Sequence, residues 1–440
     1  MENQLTGKKI LFATVPADGH FNPLTGLAKY LQQLGCDVRW YTSPLFSAKL
    51  EKLDIAHYPF KQALDVNAAN VDDVFPERKY ITDAAAKLDY DISNIFVNRA
   101  LECLDDITEI AETFDFDLLV ADSLFSAIPL VKAKLKVPVA AIGVVPLAED
   151  SVDLPPYGMG LLPPSNLAER KEYSVLKDLV KNAIFKNSID KFSAILNGYQ
   201  IVHHKAMLFD VLIKQSDLYL QIGTSGFEYE RSDISNHVRF LGGLLPYSAN
   251  TVKAEWFDER ILSYTKVILV TQGTVETDTA KLLEPTLKAF RNTDTLVIAT
   301  TGGHGTGELR KKYAADNLLI EDYVSFDAIM PYVNVYVTNG GYSGVLLAIK
   351  HNLPIVAAGL HEGKNEVCAR IGYFKYGVNL NIENPSEGQI REAVNEVLGK
   401  NEYQKNVDQL AESMNSYDSL ALCARYIGNL INETAIFREA

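Results

Sequence analysis

Short apolar runs alternate with amphipathic helical segments along most of the chain. Lys8 to Val15 is such a run, Leu24 to Leu34 places its apolar residues at helical spacing, and Asp37 to Thr42 is apolar again. Apolar strands that alternate with helices are typical of parallel sheets covered on both faces. The same rhythm restarts at Lys266 to Thr271. The pattern therefore predicts an α/β protein whose two halves share one architecture.

The length and composition fit two globular domains. At 440 residues the chain is too long for one typical hydrophobic core. A net charge of −14 argues against nucleic acid as a partner, because no basic stripe offsets phosphate repulsion. The 4 cysteines have no Cys-x-x-Cys spacing, which argues against a disulfide framework or a zinc site and favours reduced, buried thiols.

The sequence has no pattern that directs it into a membrane. The segment MENQLTGKK enters the first apolar run directly, without the basic-then-apolar order of a signal peptide. The most apolar region, Ile128 to Leu147, is interrupted by lysines and prolines, whereas a membrane-spanning helix needs about 20 apolar residues in a row. We therefore expect a cytoplasmic protein without integral membrane association.

The stretch from Pro331 to Gly377 carries the strongest sign of a ligand site. An apolar strand, Val333 to Val337, ends in Thr338-Asn339-Gly340-Gly341, and a helical pattern begins at Tyr342. A glycine-rich turn lets the backbone approach a ligand, and a helix start offers free N–H groups and a positive dipole end. A nucleotide diphosphate fits that description, although spacing alone is equally compatible with an ordinary βα turn.

Two polar residues follow strands of the N-terminal half. His20 lies beyond the first strand, in a predicted loop before a helix that starts at Asn22-Pro23, and Asp122 follows the strand Asp117 to Ala121. Doubly wound folds bind ligands at this edge of the sheet. A neutral imidazole accepts protons near pH 7, and a buried carboxylate beside it would orient the ring. A structural loop histidine and an N-cap aspartate are the competing interpretations.

These motifs resemble those of family 1 (UGT-type) glycosyltransferases. Gly-His-Phe-Asn-Pro around His20 resembles the family's Gly-His-x-x-Pro signature, and residues 339–344 resemble its donor-binding motif. Asn-Gly-Gly-Tyr followed by Gly-Val, with Glu-Gly-Lys-Asn-Glu-Val downstream, resembles a bacterial and fungal branch of the family. Asn339 stands where the family usually places a His on the diphosphate, and we expect its amide to donate to phosphate instead.

The resemblance assigns roles to individual residues. It makes His20 the catalytic base and Asp122 its partner. Glu362 matches the acidic residue that binds sugar hydroxyls, with a solvated loop charge as the competing interpretation, and Lys364 substitutes for a Gln of the family. The implied nucleotide-sugar contacts are Gly273, Thr274, Val324, Phe326, Asn339, Gly341, Tyr342, Ser343, Gly344, Glu362 and Lys364.

The resemblance also implies a fold and domain limits. It predicts the GT-B arrangement, in which two Rossmann-like domains face each other. Residues 1–246 would bind the acceptor, 247–264 would form a linker, 265–418 would bind the donor, and a helix at 419–440 would cross back to the first domain. The Pro/Gly-rich stretch Leu154 to Pro164 would line the acceptor cleft, and its apolar side chains favour an aromatic or lipidic acceptor.

The implied reaction is inverting sugar transfer. The sugar, expected to be glucose, would move from UDP-glucose to a hydroxyl of a small apolar or phenolic acceptor, with no metal and no permanently bound cofactor. A sugar-nucleotide epimerase on the same fold and a non-catalytic nucleotide-sugar binding protein are the alternatives, and a dehydrogenase is a more remote one. The retained His20 and Asp122 favour the transferase over the binding protein.

Overall fold

The computed structural model describes residues 5–247, 256–273, 275–361 and 363–439. Residues 1–4 of the segment MENQLTGKK and residues 248–255 of the predicted linker therefore lie outside the described ranges. Within the described chain the secondary structure forms two separate parallel sheets joined by helices, as the alternating apolar pattern predicts.

Seven parallel strands form the N-terminal sheet. They are β1 (Lys9–Ala13), β2 (Asp37–Thr42), β3 (Ala56–Pro59), β4 (Leu118–Asp122), β5 (Val139–Gly143), β6 (Leu218–Gln221) and β7 (Val238–Phe240). Their order in space is β3-β2-β1-β4-β5-β6-β7. The order reverses between β1 and β4, so the C-terminal ends of these two strands flank the topological switch point, where doubly wound folds bind ligands.

Helices cover both faces of this sheet. They are α1 (Asp18–Gln33), α2 (Ser47–Lys52), α3 (Val71–Val74), α4 (Ala84–Asp91), α5 (Arg99–Thr113), α6 (Ile128–Leu135), α7 (Leu167–Leu179), α8 (Lys186–Gly198) and α9 (Leu208–Gln215). Successive residues of β1 enter different cores, Ile10 and Phe12 on one face and Leu11 and Ala13 on the other. Burial on both faces explains why β1 is apolar without alternation.

Six parallel strands form the C-terminal sheet. They are β8 (Lys266–Thr271), β9 (Thr295–Thr300), β10 (Leu318–Glu321), β11 (Val335–Thr338), β12 (Ile355–Ala357) and β13 (Gly377–Asn379), in the spatial order β10-β9-β8-β11-β12-β13. Its helices are α10 (Leu283–Phe290), α11 (Thr306–Lys312), α12 (Phe326–Ile329), α13 (Tyr342–Lys350), α14 (Lys364–Tyr373), α15 (Glu387–Gly399) and α16 (Asn401–Asn415). The last helix, α17 (Ser419–Glu439), returns to pack against α1 in the N-terminal half.

The C-terminal edges of the two sheets face each other. The hydroxyl of Tyr342, which follows β11, donates to the Ile222 carbonyl just beyond β6 at 2.6 Å. Nearby, the rings of Phe227 and Tyr376 stack with centroids 6.0 Å apart. Both predicted ligand edges therefore border one interdomain cleft, which is the arrangement that the predicted fold requires.

The cysteines agree with the expectation of reduced, buried thiols. Cys36, Cys103, Cys368 and Cys423 are buried free thiols, and burial raises the pKa of each above its usual value. In the described ranges, every helix is too short or too polar to cross a membrane.

Candidate active site

His20 lies in the first turn of α1, not in the predicted loop. The helix begins at Asp18, and the N–H groups of His20 and Phe21 both donate to the Ala17 carbonyl at 3.0 Å. Pro23, which the sequence pattern places at the helix start, lies inside the helix instead. Its missing N–H costs one intrahelical hydrogen bond, and the helix tolerates this loss close to its N-terminus. His20 is therefore carried by a helix rather than by a flexible loop.

The His20 imidazole pairs with the Asp122 carboxylate. Nδ1 of His20 lies 2.8 Å from Oδ1 of Asp122, and the Asp122 side chain is fully buried. Two backbone N–H groups hold the carboxylate: Val15 donates to Oδ2 and Leu124 donates to Oδ1, each at 2.8 Å. Because a carboxylate oxygen accepts, Nδ1 carries the hydrogen and Nε2 keeps its lone pair. Asp122 thus caps a turn and orients the imidazole at the same time.

Unpartnered polar atoms surround the end of the N-terminal sheet. The Tyr219 hydroxyl, the Gln221 Oε1 atom and the Ser123 hydroxyl are buried, and none has a hydrogen-bond partner among the described residues. An added Cβ at Gly143 would meet Gln221 Oε1 at 2.5 Å and the Tyr219 hydroxyl at 2.8 Å, so these two atoms lie close together. Burial raises the pKa of the Tyr219 phenol, and a contact with the Ser123 hydroxyl that falls short of hydrogen-bond geometry opposes the rise. Buried polar groups normally find partners, so this cluster fits a ligand that brings its own.

Sequence reasoning missed this polar cluster. Gln221 ends the buried strand β6, at the same edge of the sheet as Asp122. Its Nε2 atom donates to the Val145 carbonyl at 2.9 Å and to the Tyr342 hydroxyl at 3.1 Å. A polar residue at the end of an otherwise apolar strand was the available signal, because strand ends are where this fold binds ligands.

The turn between β11 and α13 has the geometry of an anion site. Gly340 adopts φ +93°, and an added Cβ would meet the Cys368 sulfur at 2.6 Å, so only glycine fits. No side chain in the described part of the chain caps the start of α13. The first helical hydrogen bond runs from the Val345 N–H to the Gly341 carbonyl at 3.0 Å, which leaves the N–H groups of residues 342–344 without a helical partner. Ser343 is exposed at this helix start and Gly341 borders open space.

The Asn339 amide bonds to a neighbouring turn of the protein. Its Nδ2 atom donates to the Gln272 carbonyl at 2.6 Å, and the residue is only 7% exposed. Gln272 in turn accepts the N–H groups of Leu282 and Leu283 through Oε1. Asn339 therefore connects the turn after β8 to the turn after β11 through one of its two amide hydrogens, and the expected donation to phosphate stays a prediction.

The side chain of Tyr342 and the Cα of Gly344 are packed against the protein. The Tyr342 side chain is buried against the N-terminal half through its bond to Ile222, and burial raises the pKa of the Tyr342 phenol well above its usual value. An added Cβ at Gly344 would lie 2.5 Å from the Tyr336 hydroxyl, so this glycine is required by packing. At both positions only the backbone N–H faces the anion site.

The other predicted donor residues fall at the same edge of the C-terminal sheet. Gly273 follows β8 with φ +76° and open space at its Cβ position. Val324 and Phe326 follow β10 and are half-buried, with the Phe326 ring edge-on to Tyr336 at 6.3 Å. Lys364 begins α14, and its carbonyl lies 3.0 Å from the Cβ position of Gly340. Two predicted contacts, Thr274 and Glu362, lie outside the described residues.

An ionic cluster borders the anion site. Lys281 Nζ pairs with Glu276 at 2.5 Å and with Glu383 at 3.1 Å, and Glu383 accepts the Leu360 N–H at 2.8 Å. Partial burial favours the protonated form of Glu383, but the Leu360 N–H and the Lys281 ammonium outweigh it and lower the pKa. Lys281 is therefore already paired with two carboxylates. In the described ranges no group of three His, Cys, Asp or Glu side chains is placed to hold a metal ion.

Comparison with known proteins supplies the family. Residues 116–415 match the family described as UDP-glucoronosyl and UDP-glucosyl transferase. The chain is 31% identical over 426 residues to 4'-demethylrebeccamycin synthase from Lentzea aerocolonigenes, covering 97% of this chain and 100% of that protein. It is 28% identical over 439 residues to UDP-glucosyltransferase 1 from Beauveria bassiana (strain ARSEF 2860), covering 94% of each.

Solved structures share the fold. The kitacinnamycin glycotransferase superposes with a TM-score of 0.74 at 18% identity, over 97% of this chain and 99% of that one. The calicheamicin glycosyltransferase superposes with a TM-score of 0.73 at 18% identity, over 97% and 98%. The expected pair of facing Rossmann-like domains, the GT-B fold, is confirmed. The chain belongs to the UDP-glucoronosyl and UDP-glucosyl transferase family and is a UDP-dependent glycosyltransferase.

Proposed function

We propose that this enzyme transfers glucose from UDP-glucose, with inversion, to a hydroxyl of a small aromatic natural product. The observation that carries the proposal is the His20–Asp122 pair, whose Nδ1–Oδ1 contact of 2.8 Å leaves Nε2 available at the cleft. The uncapped start of α13 lies across the same cleft. A base on one side and an anion site on the other suit a displacement in which a diphosphate leaves.

The proposed mechanism is a single displacement. His20 Nε2 accepts the proton of the acceptor hydroxyl while that oxygen forms a bond to the anomeric carbon. The bond from this carbon to the diphosphate oxygen breaks on the opposite face, so the configuration inverts. The Asp122 carboxylate stabilises the imidazolium that forms. The N–H groups of residues 342–344 and the dipole of α13 stabilise the charge on the departing UDP.

The donor roles follow the positions of residues along one edge. We assign the diphosphate to the turn formed by Asn339, Gly341 and Ser343, with Asn339 acting through the turn that it fastens. Gly273, with open space at its Cβ position, suits close approach of the nucleotide to the backbone. Val324 is assigned to the uracil. We assign the sugar hydroxyls to Glu362 and Lys364 on the loop after β12, with no metal required for transfer.

The proposed division of the chain follows the two sheets. Residues 1–246 form the acceptor domain, 247–264 the linker and 265–418 the donor domain, with 419–440 crossing back. The packing of α17 against α1 supports this division. Relatives from Lentzea aerocolonigenes and Beauveria bassiana support placement in a bacterial and fungal branch that carries the Asn-Gly-Gly-Tyr motif.

The acceptor is proposed from the buried polar cluster and from the relatives. The names of the relatives refer to rebeccamycin, kitacinnamycin and calicheamicin, which supports a natural-product acceptor. Among the residues that the structure describes, the hydroxyls of Tyr219 and Ser123 and the Gln221 oxygen have no hydrogen-bond partner. An acceptor that carries hydrogen-bonding groups on an apolar ring system would satisfy them, because a hydrocarbon would leave them unpaired at a cost of about 1–3 kcal/mol each.

The Tyr219→Phe variant tests this acceptor assignment. It removes one hydroxyl without opening a cavity, so we expect the acceptor KM to rise by roughly 3–10-fold while the UDP-glucose KM stays unchanged. Initial rates at varied acceptor concentration measure the effect. Tyr403→Phe is the matched control, since its hydroxyl bonds Glu396 in the C-terminal half at 2.7 Å. An unchanged acceptor KM in Tyr219→Phe would remove Tyr219 from the acceptor site.

The proposed function itself is tested by nucleotide release. Purified enzyme is incubated with UDP-glucose, TDP-glucose and other nucleotide sugars, with and without a panel of phenolic and indole acceptors. We expect UDP release that depends on the acceptor and persists in EDTA, with a glycosylated product of inverted anomeric configuration by NMR. Conversion of the donor sugar without an acceptor would indicate an epimerase, and tight UDP binding without release would indicate a binding protein.

A further inference from the structure

The loop predicted to line the acceptor cleft is held by the opposite domain. The N–H groups of Gly158 and Gly160 donate to the same oxygen, Oε1 of Glu366, at 2.8 and 2.9 Å. The Asn365 side chain donates to the Gly158 carbonyl at 2.7 Å. Both holding residues lie in the first turn of α14, in the donor domain. Three hydrogen bonds thus connect an acceptor loop to a donor-domain helix.

A buried ion network fixes the Glu366 side chain. Its second oxygen, Oε2, accepts from Arg370 Nη1 at 2.9 Å. Arg370 also pairs with Glu228 of the N-terminal half, at 3.0 Å through Nε and 2.9 Å through Nη2. Burial disfavours the Arg370 charge, but Glu228 and Glu366 outweigh it and raise the pKa of the guanidinium. The three side chains are at most 5% exposed.

This network makes the position of Glu366 well defined. A buried charge destabilises the folded state unless it is paired and hydrogen-bonded. Removing one partner therefore leaves the others as uncompensated buried charges. Arg370 bonds Glu366 within α14 and Glu228 across the domains. Glu366 is therefore held by an arginine whose second partner belongs to the opposite domain, so docking of the two domains and the position of Glu366 are connected.

The loop is shaped to fit this contact. Gly158 and Gly160 adopt φ +95° and +63°, a backbone region that favours glycine. An added Cβ at Gly160 would lie 3.0 Å from the Asn365 Cβ and 3.2 Å from the Asn365 carbonyl. The backbone of the loop thus rests directly on the start of α14. A larger residue at position 160 would push the loop away from the helix.

We propose that Glu366 is a positioning residue that couples the acceptor site to the donor domain. The proposal rests on the function proposed above. α14 begins immediately after the loop assigned to the donor sugar, so a donor bound there stabilises the segment that carries Glu366. Glu366 in turn holds residues 158–160 against α14. Donor binding thus stabilises the acceptor loop, and the loop in this position shields the bound donor from water. By linkage, each substrate strengthens the binding of the other.

Two variants disturb the contact from opposite sides. Glu366→Gln removes the charge that pairs with Arg370. Gly160→Ala displaces the loop and leaves every charged side chain unchanged. We expect each to raise the acceptor KM by about 10-fold, the effect of losing a hydrogen bond to a charged group, with the Kd for UDP unchanged by calorimetry. Both should raise hydrolysis of UDP-glucose in the absence of acceptor. The double variant should not be additive, because both changes remove one contact.

Hydrogen exchange gives a readout that does not depend on activity. In the wild type, UDP-glucose should slow amide exchange of residues 154–164, and Glu366→Gln should abolish that protection. Glu402→Gln is the matched control, since it breaks an exposed ion pair with Lys375 in the same domain. If the enzyme transferred sugar to no acceptor, the proposed function would fail while the exchange result still tested the coupling.

Two results would overturn the proposal. The first is unchanged acceptor KM and unchanged loop exchange in both variants. The second is an equal loss of UDP affinity and acceptor affinity, with a lowered Tm in both variants. That result would mean that the contact stabilises the interface between the domains as a whole and does not position the loop.

Discussion

Replacing His20 by alanine is expected to lower kcat for sugar transfer by about 10²–10⁴-fold, the usual contribution of a general base. The reason is that Nε2 is the proton acceptor at the cleft, oriented by the 2.8 Å contact of Nδ1 with Asp122. The fold should survive, because Asp122 keeps the N–H groups of Val15 and Leu124 as partners. Initial rates with saturating substrates measure kcat, and calorimetry with UDP should show an unchanged Kd.

The chain contains a matched control for this experiment. His351 Nε2 pairs with Asp327 at 2.8 Å on the donor domain, where the Asp327 side chain is 64% exposed. His351→Ala breaks a His–Asp pair of the same length outside the proposed site and should leave kcat unchanged. Wild-type transfer by His20→Ala would contradict the assignment of the base, and an equal loss in both variants would point to stability instead.

Replacing Asp122 by asparagine is expected to lower kcat by about 10²–10⁴-fold, in line with the loss seen when a catalytic His–Asp pair is neutralised. An asparagine has one acceptor oxygen where Asp122 uses two. If that oxygen faces His20, the Val15 N–H meets an amide N–H and the imidazolium loses its counter-charge. If it faces Val15, the amide donates to Nδ1, and the hydrogen moves to Nε2, where it blocks proton acceptance.

Kinetics and stability together separate the two roles of Asp122. An unpaired buried donor costs about 1–3 kcal/mol, so the Tm should fall as well as kcat. Because His20 and Asp122 act as one unit, the double variant His20→Ala, Asp122→Asn should be no slower than His20→Ala alone. A lowered Tm with unchanged kcat would instead assign Asp122 to the turn at Leu124 only, which is the capping alternative. Asp327→Asn is the exposed control.

Local patterns were sufficient to predict two α/β halves and the meeting of His20 with Asp122, whereas the facing GT-B arrangement was predicted from the family resemblance. His20 follows β1 and Asp122 ends β4, and parallel strands bring their C-terminal ends to one edge. The helix start was mispredicted because Pro23 is a strong local signal for a first turn. The observed helix begins at Asp18, directly after Ala17. Local rules are weakest at helix ends.

Contacts between distant segments could not be predicted. The partner of the Asn339 amide is the carbonyl of Gln272, 67 positions earlier, and a backbone carbonyl leaves no trace in the sequence. The pairing of Glu228 with Arg370 spans 142 positions. From the sequence alone, a charged residue in an amphipathic helix is assigned to the solvated face. Only the position of the opposite domain shows that such a residue is buried and paired. Such contacts determine which side chains are free for a substrate.

The packing of α17 against α1 has a consequence for biosynthesis. α1 carries His20 in its first turn, and α17 occupies residues 419–439. In the chain α1 precedes β2 and α17 follows β13, so the two helices are synthesised far apart in time. A nascent or prematurely terminated chain that ends before Ser419 lacks the packing of α17 against α1, even when both sheets are complete. The surroundings of the helix that carries the proposed base are therefore completed only after both sheets have been made.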